Sequence, residues 1–378
     1  MNTNSTLLTS FLIALLVFTL SFAPHHSIHT SASTTDTMLA GQSLTGNQTL
    51  VSKDGIFELG FFTPGNSKNY YIGIWFKQVA AVQKKKFIVW VANRNKPISA
   101  DDSSSSEFKL LENGHLVLLI SMKTNYSSKV SVWSTDSSTS KTINDTSANA
   151  VLDYDGNLIV TSSSNGNIIW QSFDHPTHGV LPGGKFGYNN LTKKGYKLTA
   201  WKNSEDPSEG IYSAELGLDK SFRLTWNHSL EYYTSGVWNG RYFSNIPEMQ
   251  VGNEIASSFE YKSYENGEYF TYSLSHKTLP LFAYLDTSGQ MKITVWQVQT
   301  PDWIVVWAKP MLKCQVYGVC GAFSVCGENN VGLSICQCLS GFEQHYPKDW
   351  GLLDYSGGCL RRNSLKCGEK IDFQRCLT

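Results

Sequence analysis

Short apolar and alternating runs, separated by turn residues, fill the chain from about residue 38 onwards. Clear examples are 56–62 (IFELGFF), 70–76 (YYIGIWF) and 87–91 (FIVWV), with Asp54-Gly55 and Pro64-Gly65-Asn66 between them. β-Branched and aromatic residues bounded by Gly, Pro and Asn favour strands. No window keeps a sustained period of 3.6 residues, so the pattern predicts an all-β protein.

An internal repeat refines this prediction. Residues 111–119 (LENGHLVLL) are echoed by 152–160 (LDYDGNLIV), and each copy places a turn glycine before an aliphatic strand. Such self-similarity is typical of folds built from several similar sheets. The repeat therefore predicts a β-prism or a barrel.

The first residues have the pattern of a secretory signal. Leu7 to Ala23 are almost wholly apolar and a Ser/Thr/His-rich stretch follows, which predicts cleavage between residues 23 and 32, with an uncleaved anchor as the alternative. No later stretch approaches 18 consecutive apolar residues, so no transmembrane helix is predicted. Five N-glycosylation sequons agree with secretion, at Asn47, Asn125, Asn144, Asn190 and Asn227.

Composition argues against a nucleic-acid-binding protein. The formal net charge is zero, 16% of residues are charged and 41% are hydrophobic. Without a basic excess the chain has little with which to neutralise phosphates. The one dense basic run, Lys84-Lys85-Lys86, is interpreted as a solvated turn, with a ligand-contacting surface as the alternative.

All eight cysteines lie between Cys314 and Cys376. This clustering predicts a small module that is stabilised by disulfides because it cannot bury enough apolar surface alone. Eight cysteines allow 105 pairings, so spacing does not choose among them. A zinc site is the weaker alternative, since no Cys/His set has zinc-ligand spacing.

The ending Cys336-x-Cys338-x-x-Gly341-Phe342 resembles the second half of an EGF-like module. The resemblance implies three disulfides, and the two last cysteines either pair with each other or lack their usual partners. The resulting expectation is Cys314–Cys326, Cys320–Cys336, Cys338–Cys359 and Cys367–Cys376. A calcium-binding variant of the module is not expected, because residues 311–313 supply no acidic side chain.

The repeat, together with 59–65 (LGFFTPG) and 87–98 (FIVWVANRNKPI), resembles the bulb-type lectin domain of plant S-domain receptors. The sugar pocket of that family has the pattern Gln-x-Asp-x-Asn-x-Val-x-Tyr, in which amide, carboxylate and hydroxyl groups bind sugar hydroxyls. The best copy here implies Asp153, Asp155 and Asn157 as carbohydrate-binding residues. The interpretation we favour is that Asp155 and Asn157 instead serve a hairpin turn at Gly156.

Residues 170–177 (WQSFDHPT), 198–213 and 232–240 (YYTSGVWNG) resemble the S-locus glycoprotein domain, and 348–368 resemble the linker into a PAN/apple domain. The implied architecture is two tandem bulb-lectin-like β-prism domains, a small disulfide-rich EGF-like module and the start of a PAN domain. The expected boundaries are 1–32 for the signal, 33–170 and 171–309 for the prisms, 310–349 for the EGF-like module and 350–378 for the truncated PAN domain.

No constellation of catalytic residues stands out. His175 follows Asp174, but no nucleophile motif accompanies them and Pro176 favours a turn. Kinase motifs are absent from the sequence, so no enzyme activity, catalytic residue, metal or cofactor is expected. Aromatic residues such as Trp201, Trp226 and Trp238 are interpreted as core, with stacking on a sugar or partner as the alternative.

The resemblance implies an extracellular recognition module of a receptor-like protein, secreted or on the outer face of the plasma membrane. Its family acts in pollen recognition or in defence signalling. The expected partners are an extracellular peptide, protein or glycan ligand and, as the resemblance implies, a second receptor in a homo- or heterodimer. The alternatives are a soluble mannose-type lectin and a secreted decoy or co-receptor.

Overall fold

The computed structural model describes residues 35–122, 125–135, 148–189, 194–250, 256–264, 267–274, 279–328 and 334–363. The described strands pair antiparallel in six four-stranded and two two-stranded sheets, which confirms the all-β class. Some expected features lie outside the described residues, namely the signal segment, Asn144, Asn190, Cys367 and Cys376.

Three of the four-stranded sheets enclose one apolar core and form a β-prism, which we call the first prism. The strand orders are β1-β10-β11-β12, β2-β7-β8-β9 and β3-β4-β5-β6. The bounds are β1 (Thr37–Leu39), β2 (Ser43–Leu44), β3 (Thr49–Val51), β4 (Phe57–Phe62), β5 (Tyr71–Phe76), β6 (Ile88–Val91), β7 (Ser106–Leu110), β8 (Leu116–Met122), β9 (Asn125–Ser134), β10 (Ala148–Leu152), β11 (Leu158–Ser162) and β12 (Ile168–Gln171).

Three tryptophans meet inside the first prism, one from each sheet. Trp90 of β6, Trp133 of β9 and Trp170 of β12 form edge contacts, with ring centroids 6.0, 6.0 and 6.1 Å apart. Edge-to-face packing suits the charge distribution of aromatic rings. The three large rings therefore fill the space where the sheets converge.

Burial along the strands follows their side-chain period. In β10 and β11, buried and partly exposed residues alternate, as expected when one face of a sheet meets the core. Strand β5 is buried at every position. One face of β5, with Ile72 and Ile74, belongs to the prism core, whereas Tyr71 and Trp75 join a separate cluster covered by Trp201. The continuous apolar run in β5 thus reflects a second packing partner on its outer face.

A short helix, α1 (Lys77–Gln83), interrupts the strands of the first prism and was not predicted. It makes only about two turns, and Val79 is its one buried residue. A segment this short shows no helical period that sequence analysis can detect. The chain also forms short 3₁₀ turns at Ala100–Ser105, Ser172–Asp174, Pro247–Gln250 and Lys313–Gln315.

The remaining four-stranded sheets enclose a second core and form the second prism. Their strand orders are β13-β22-β23-β24, β15-β14-β21-β20 and β16-β17-β18-β19. The bounds are β13 (Gly179–Val180), β14 (Phe186–Asn189), β15 (Lys194–Gly195), β16 (Leu198–Asn203), β17 (Asp206–Leu216), β18 (Phe222–Trp226), β19 (Leu230–Thr234), β20 (Ala256–Tyr264), β21 (Gly267–Leu274), β22 (Leu281–Leu285), β23 (Met291–Gln297) and β24 (Asp302–Lys309).

The cysteine-rich segment packs against the second prism. Its elements are β25 (Ser324–Cys326), β26 (Cys336–Cys338), β27 (Phe342–Gln344), α2 (Pro347–Gly351) and β28 (Cys359–Arg361). Disulfides join Cys314 to Cys326, Cys320 to Cys336 and Cys338 to Cys359, the pairs that the EGF resemblance implies. Because β28 pairs with β27, residues beyond the expected boundary at 349 also belong to this module.

Candidate functional site

The hairpin that joins β10 to β11 contains the three residues expected to bind carbohydrate. Asp153 and Asp155 are half-buried and flank the turn, where Gly156 has a φ of 83°. The Gly156 amide donates to the Asp153 carbonyl, and the Asn157 amide donates to Asp155 Oδ1 at 2.9 Å. An acidic side chain that accepts an amide two residues later stabilises such a turn.

The Asn157 side chain faces the protein interior. It is only 4% exposed, and its Nδ2 donates to Gln171 Oε1 at 2.9 Å. Its Oδ1 accepts hydrogen bonds from Ser172 Oγ and from the Phe173 amide, both at 3.1 Å. The amide therefore links the hairpin to the end of β12, and these bonds would have to break before Asn157 could bind a sugar hydroxyl.

Asp155 stays close to the surface but is constrained by the turn. Burial raises the pKa of its carboxyl above the ordinary aspartate value, although the Asn157 amide opposes that effect. The other two sheets carry the same arrangement. Asp54 Oδ1 accepts the Ile56 amide at 3.2 Å, and Asn113 Oδ1 accepts the His115 amide at 3.3 Å. The position equivalent to Asp155 is thus a turn acceptor in each sheet of the first prism.

Asp174 and His175 form a structural corner. Asp174 accepts hydrogen bonds from Gln171 and Lys185, at 2.9 and 2.8 Å. The His175 ring stacks on Trp170 with a centroid separation of 5.3 Å, and its carbonyl accepts from Trp90 Nε1 at 2.9 Å. The pair therefore fixes the connection between the prisms and presents no nucleophile.

The two prisms are joined through Arg94, whose guanidinium is buried at their contact. Its Nε donates to the Pro207 carbonyl at 2.8 Å, and Nη2 donates to the carbonyls of Thr199 and Ala200 at 3.0 and 2.9 Å. Burial lowers the pKa of Arg94 to about 10, and nearby acidic residues oppose that effect. The side chain remains charged at neutral pH and ties the loop after β6 to the backbone of the second prism.

An aromatic cluster continues this contact. Phe87 of the first prism stacks on Trp303 of the second at 4.0 Å and meets the edges of Phe282 and Tyr284. His178 is only 6% exposed and lies 5.3 Å from the Phe282 ring. Burial, together with the charge of Arg94, lowers the pKa of His178 to about 3.

The buried His178 should make stability depend on pH. In the unfolded chain it binds a proton near its ordinary pKa of about 6.5, whereas in the folded chain it stays neutral. Stability is therefore fully present above about pH 6.5 and falls as pH drops towards about 3, by about 2 kcal/mol between about pH 7 and pH 5. Urea unfolding at a series of pH values measures this slope.

The matched variants are His178→Phe, which keeps a ring but removes the titration, and His228→Phe at an exposed position. We expect His178→Phe to flatten the pH dependence and His228→Phe to leave it unchanged. A slope that survives in His178→Phe would show that another group controls stability in this range.

A cleft of about 910 Å³ opens beside the aromatic contact between the two prisms, and residues of both prisms line it. Phe61, Tyr70 and Phe87 contribute from the first prism, and Trp201 and Tyr284 from the second. The basic run also lines it, in the order Lys84, Lys85 and Lys86, immediately after α1. The sequence left two interpretations of this basic run open, a solvated turn and a ligand-contacting surface. In the structure the run lies on the rim of this cleft.

Three further details define the cleft. The Lys86 ammonium sits 3.7 Å from the centroid of the Trp75 ring, and burial there lowers the pKa of Lys86, although Glu58 opposes this. The indole Nε1 of Trp201 is buried and has no hydrogen-bond partner among the described residues. Asn47, the acceptor residue of one sequon, is exposed at the rim of the cleft. Asn227, the acceptor of another sequon, is also exposed but lies outside the cleft.

The described residues contain no group of His, Cys, Asp or Glu that could hold a metal ion. No helix among them is long and apolar enough to cross a membrane.

Two of the three tryptophans highlighted in the sequence pack internally: Trp226 contacts Tyr317 of the cysteine-rich segment, and Trp238 contacts Phe243. Trp201 differs, because it covers β5 and also lines the cleft.

Comparison with family models defines the class of protein as a lectin-like S-domain protein. The D-mannose binding lectin model matches residues 87–202, and the S-locus glycoprotein domain model matches residues 233–346. The first match spans parts of both prisms, and the second runs from the second prism into the cysteine-rich module as far as β27.

Full-length comparisons identify the family. The S-locus-specific glycoprotein BS29-2 of Brassica oleracea var. alboglabra is 33% identical over 95% of this chain and 78% of its own length. A G-type lectin S-receptor-like serine/threonine-protein kinase of Arabidopsis thaliana is 40% identical over 95% of this chain and 41% of its own length. The chain belongs to the family of S-locus glycoproteins and G-type lectin S-receptor-like proteins, and it spans about two fifths of the receptor kinases that it matches.

A solved structure is also similar. Monomeric mannose-binding lectins from Gastrodia elata share 17% identity and a TM-score of 0.24, covering 36% of this chain and 96% of theirs. A superposition this poor supports no conclusion about binding by this chain.

Proposed function

We propose that this chain is the extracellular recognition module of an S-domain receptor-like protein and that its ligand binds in the cleft between the prisms. The observation that carries the proposal is the cleft of about 910 Å³, to which both prisms contribute side chains. Ligand sites commonly lie in clefts between domains, because two surfaces can enclose a ligand there. The signal-like first residues and the sequons support a location outside the cell.

The chemistry of the cleft favours an acidic ligand segment. Lys84 and Lys85 are exposed at the rim, and Lys84 ends α1 in the left-handed conformation with a φ of 56°. On the opposite wall, the carboxylate of Asp286 is paired with Lys292 and so offsets little of this positive charge. Aromatic rings form the floor. Carboxylates of a peptide would meet the lysines while its apolar side chains pack on the rings.

The hairpin at Gly156 is the alternative site, and the geometry favours it less. Asn157 already uses its amide within the fold, and Asp155 accepts the backbone amide of the turn. A sugar would compete with these bonds, whereas the cleft needs no rearrangement to receive a ligand. The proposal of a ligand site in the cleft applies to a module of a membrane receptor, whether that receptor acts alone or as a dimer. It applies equally to a secreted decoy or co-receptor.

The test uses a hexaglutamate peptide, titrated calorimetrically into the secreted protein at low ionic strength. Unmodified protein should bind it, and Lys84→Ser with Lys85→Ser should weaken binding about tenfold by removing two rim charges. The matched control is Lys53→Ser with Lys348→Ser, two exposed lysines outside the cleft. Equal affinity in the two double variants would show that the cleft does not bind the peptide.

Mannotriose distinguishes the lectin alternative. A thermal shift with this sugar that disappears in Asp155→Ala with Asn157→Ala, while the protein stays folded, would move the site to the hairpin. We expect no shift in either protein. Glycan binding that survives the double variant would exclude the hairpin as the sugar site.

A further inference from the structure

The interior of the second prism contains an apolar cavity that is separate from the cleft between the prisms. Its volume is about 210 Å³, and side chains from all three sheets line it, including Phe186, Ala214, Phe222, Phe270, Leu281 and Met291. Protein interiors are normally packed without voids much larger than a water molecule. A space of this size inside a prism core therefore needs an explanation.

The first prism shows how the same architecture is closed. There, Trp90, Trp133 and Trp170 meet where the three sheets converge. Among the described residues of the second prism, no three tryptophans make such a contact, and the lining includes residues as small as Ala214 and Ala283. The two prisms share their sheet architecture, but in the second prism phenylalanine rings surround the space that the three tryptophans fill in the first.

One charged group stands at the mouth of the cavity. Glu248 lines it and is held by the Trp307 indole, at 2.9 Å, and by the Lys309 ammonium, at 2.7 Å. Burial raises the pKa of Glu248, but hydrogen bonds from Lys309, from the backbone amide of Glu248 and from Trp307 outweigh burial and bring its pKa below the ordinary glutamate value. Both side-chain donors bond to Oε1, and an ionised carboxylate has further lone pairs that can accept a hydrogen bond from a ligand.

We infer that this cavity binds a small, neutral, largely apolar molecule with one hydrogen-bond donor. The apolar lining favours a ring or a short hydrocarbon, and the carboxylate of Glu248 favours a hydroxyl or N–H and disfavours an anion. A dry cavity of about 150 Å³ is known to hold benzene, so the volume here suits about nine non-hydrogen atoms. This inference goes beyond the proposed function, because the cavity and the cleft do not share lining residues.

Indole and benzofuran are suitable probes, since they have nearly the same shape and only indole carries an N–H donor. Each is titrated into the complete secreted protein by calorimetry and by thermal shift. Indole should bind and raise the melting temperature, and benzofuran should bind about tenfold more weakly for lack of the hydrogen bond to Glu248. Glu248→Leu, which has no acceptor, should bring the affinity for indole close to that for benzofuran.

Neighbouring residues of β24 provide a matched pair of variants. Both Val305 and Val306 are exposed, but only Val306 lines the cavity. Val306→Trp should place a ring in the mouth and abolish indole binding, and Val305→Trp should leave it intact. Met249→Trp serves as a second blocking variant if Val306→Trp does not fold, because Met249 also lines the cavity.

The inference is overturned if the unmodified protein binds neither probe at millimolar concentration. It is also overturned if Val305→Trp and Val306→Trp, both folded, bind indole equally. Hexaglutamate binding at the cleft should be the same in Val306→Trp and in unmodified protein. The two proposals can therefore fail independently.

Discussion

Replacing Arg94 with methionine is expected to lower the free energy of unfolding by about 3–5 kcal/mol. Arg94 is 8% exposed, and its guanidinium donates to the carbonyls of Thr199, Ala200 and Pro207 across the contact between the prisms. Methionine fills part of the space but leaves these carbonyls buried without donors. Each unpaired buried acceptor costs about 1–3 kcal/mol, and hydrogen bonds from a charged donor are the stronger ones.

Urea unfolding followed by tryptophan fluorescence measures the loss, and small-angle scattering reports whether the prisms separate before they unfold. The control is Arg223→Met, which removes an exposed pairing with Asp219 and Glu231 and should cost less than about 1 kcal/mol. The loss in free energy of unfolding for Arg94→Lys should fall between those of the two methionine variants. An ammonium group restores the charge but lacks the planar set of N–H donors of a guanidinium. Equal losses for Arg94→Met and Arg223→Met would mean that Arg94 does not hold the prisms together.

Removing the Cys320–Cys336 disulfide is expected to cost about 4 kcal/mol. The bond closes a separation of 16 residues, which by chain entropy alone stabilises the fold by about 3 kcal/mol. Both sulfurs also belong to the core shared with the second prism, where Cys320 and Cys336 are 5% and 1% exposed. The double alanine variant therefore loses packing in addition to the constraint on the unfolded chain.

The Cys314–Cys326 disulfide provides a close comparison. Its separation of 12 residues makes the chain-entropy contribution smaller by only about 0.3 kcal/mol, and both of its cysteines are half-buried. The corresponding double alanine variant should cost about 3 kcal/mol, so the difference between the variants reports packing against the second prism. If removing either disulfide costs the same, the cysteine-rich module does not share a core with that prism. Thermal and urea unfolding of the secreted variants measure both values.

Much of the fold could be predicted from local patterns. The apolar run at residues 70–76 predicted β5, and the repeat with its glycines predicted the hairpins of a prism. Turn chemistry also predicted that Asp155 stabilises the hairpin turn, and its carboxylate accepts a hydrogen bond from the Asn157 amide. These features depend on contacts between residues close in the sequence, which is why the pattern contains them. Helix α1 was missed because two turns with one buried residue leave no periodic signal.

The candidate sites depend on contacts that no local pattern records. In the sequence, Arg94 contributed only to the lectin resemblance of residues 87–98, yet its donors reach carbonyls more than 100 residues away. Lys84 and Lys85 became part of a cleft only because the second prism packs beside them. The empty centre of the second prism likewise reflects which side chains three separate sheets bring together.

By itself, the sequence determined that this protein is all-β, that its strands turn at glycines, and that its cysteines cluster in one segment that is stabilised by disulfides. Those properties follow from side-chain period, backbone freedom and composition, which act over a few residues. The tertiary structure alone decided that Asn157 faces inward, that Arg94 joins two prisms, and that a cleft and a cavity exist. The physical reason is that burial and hydrogen-bond satisfaction are properties of the whole packed chain, set by residues distant in sequence.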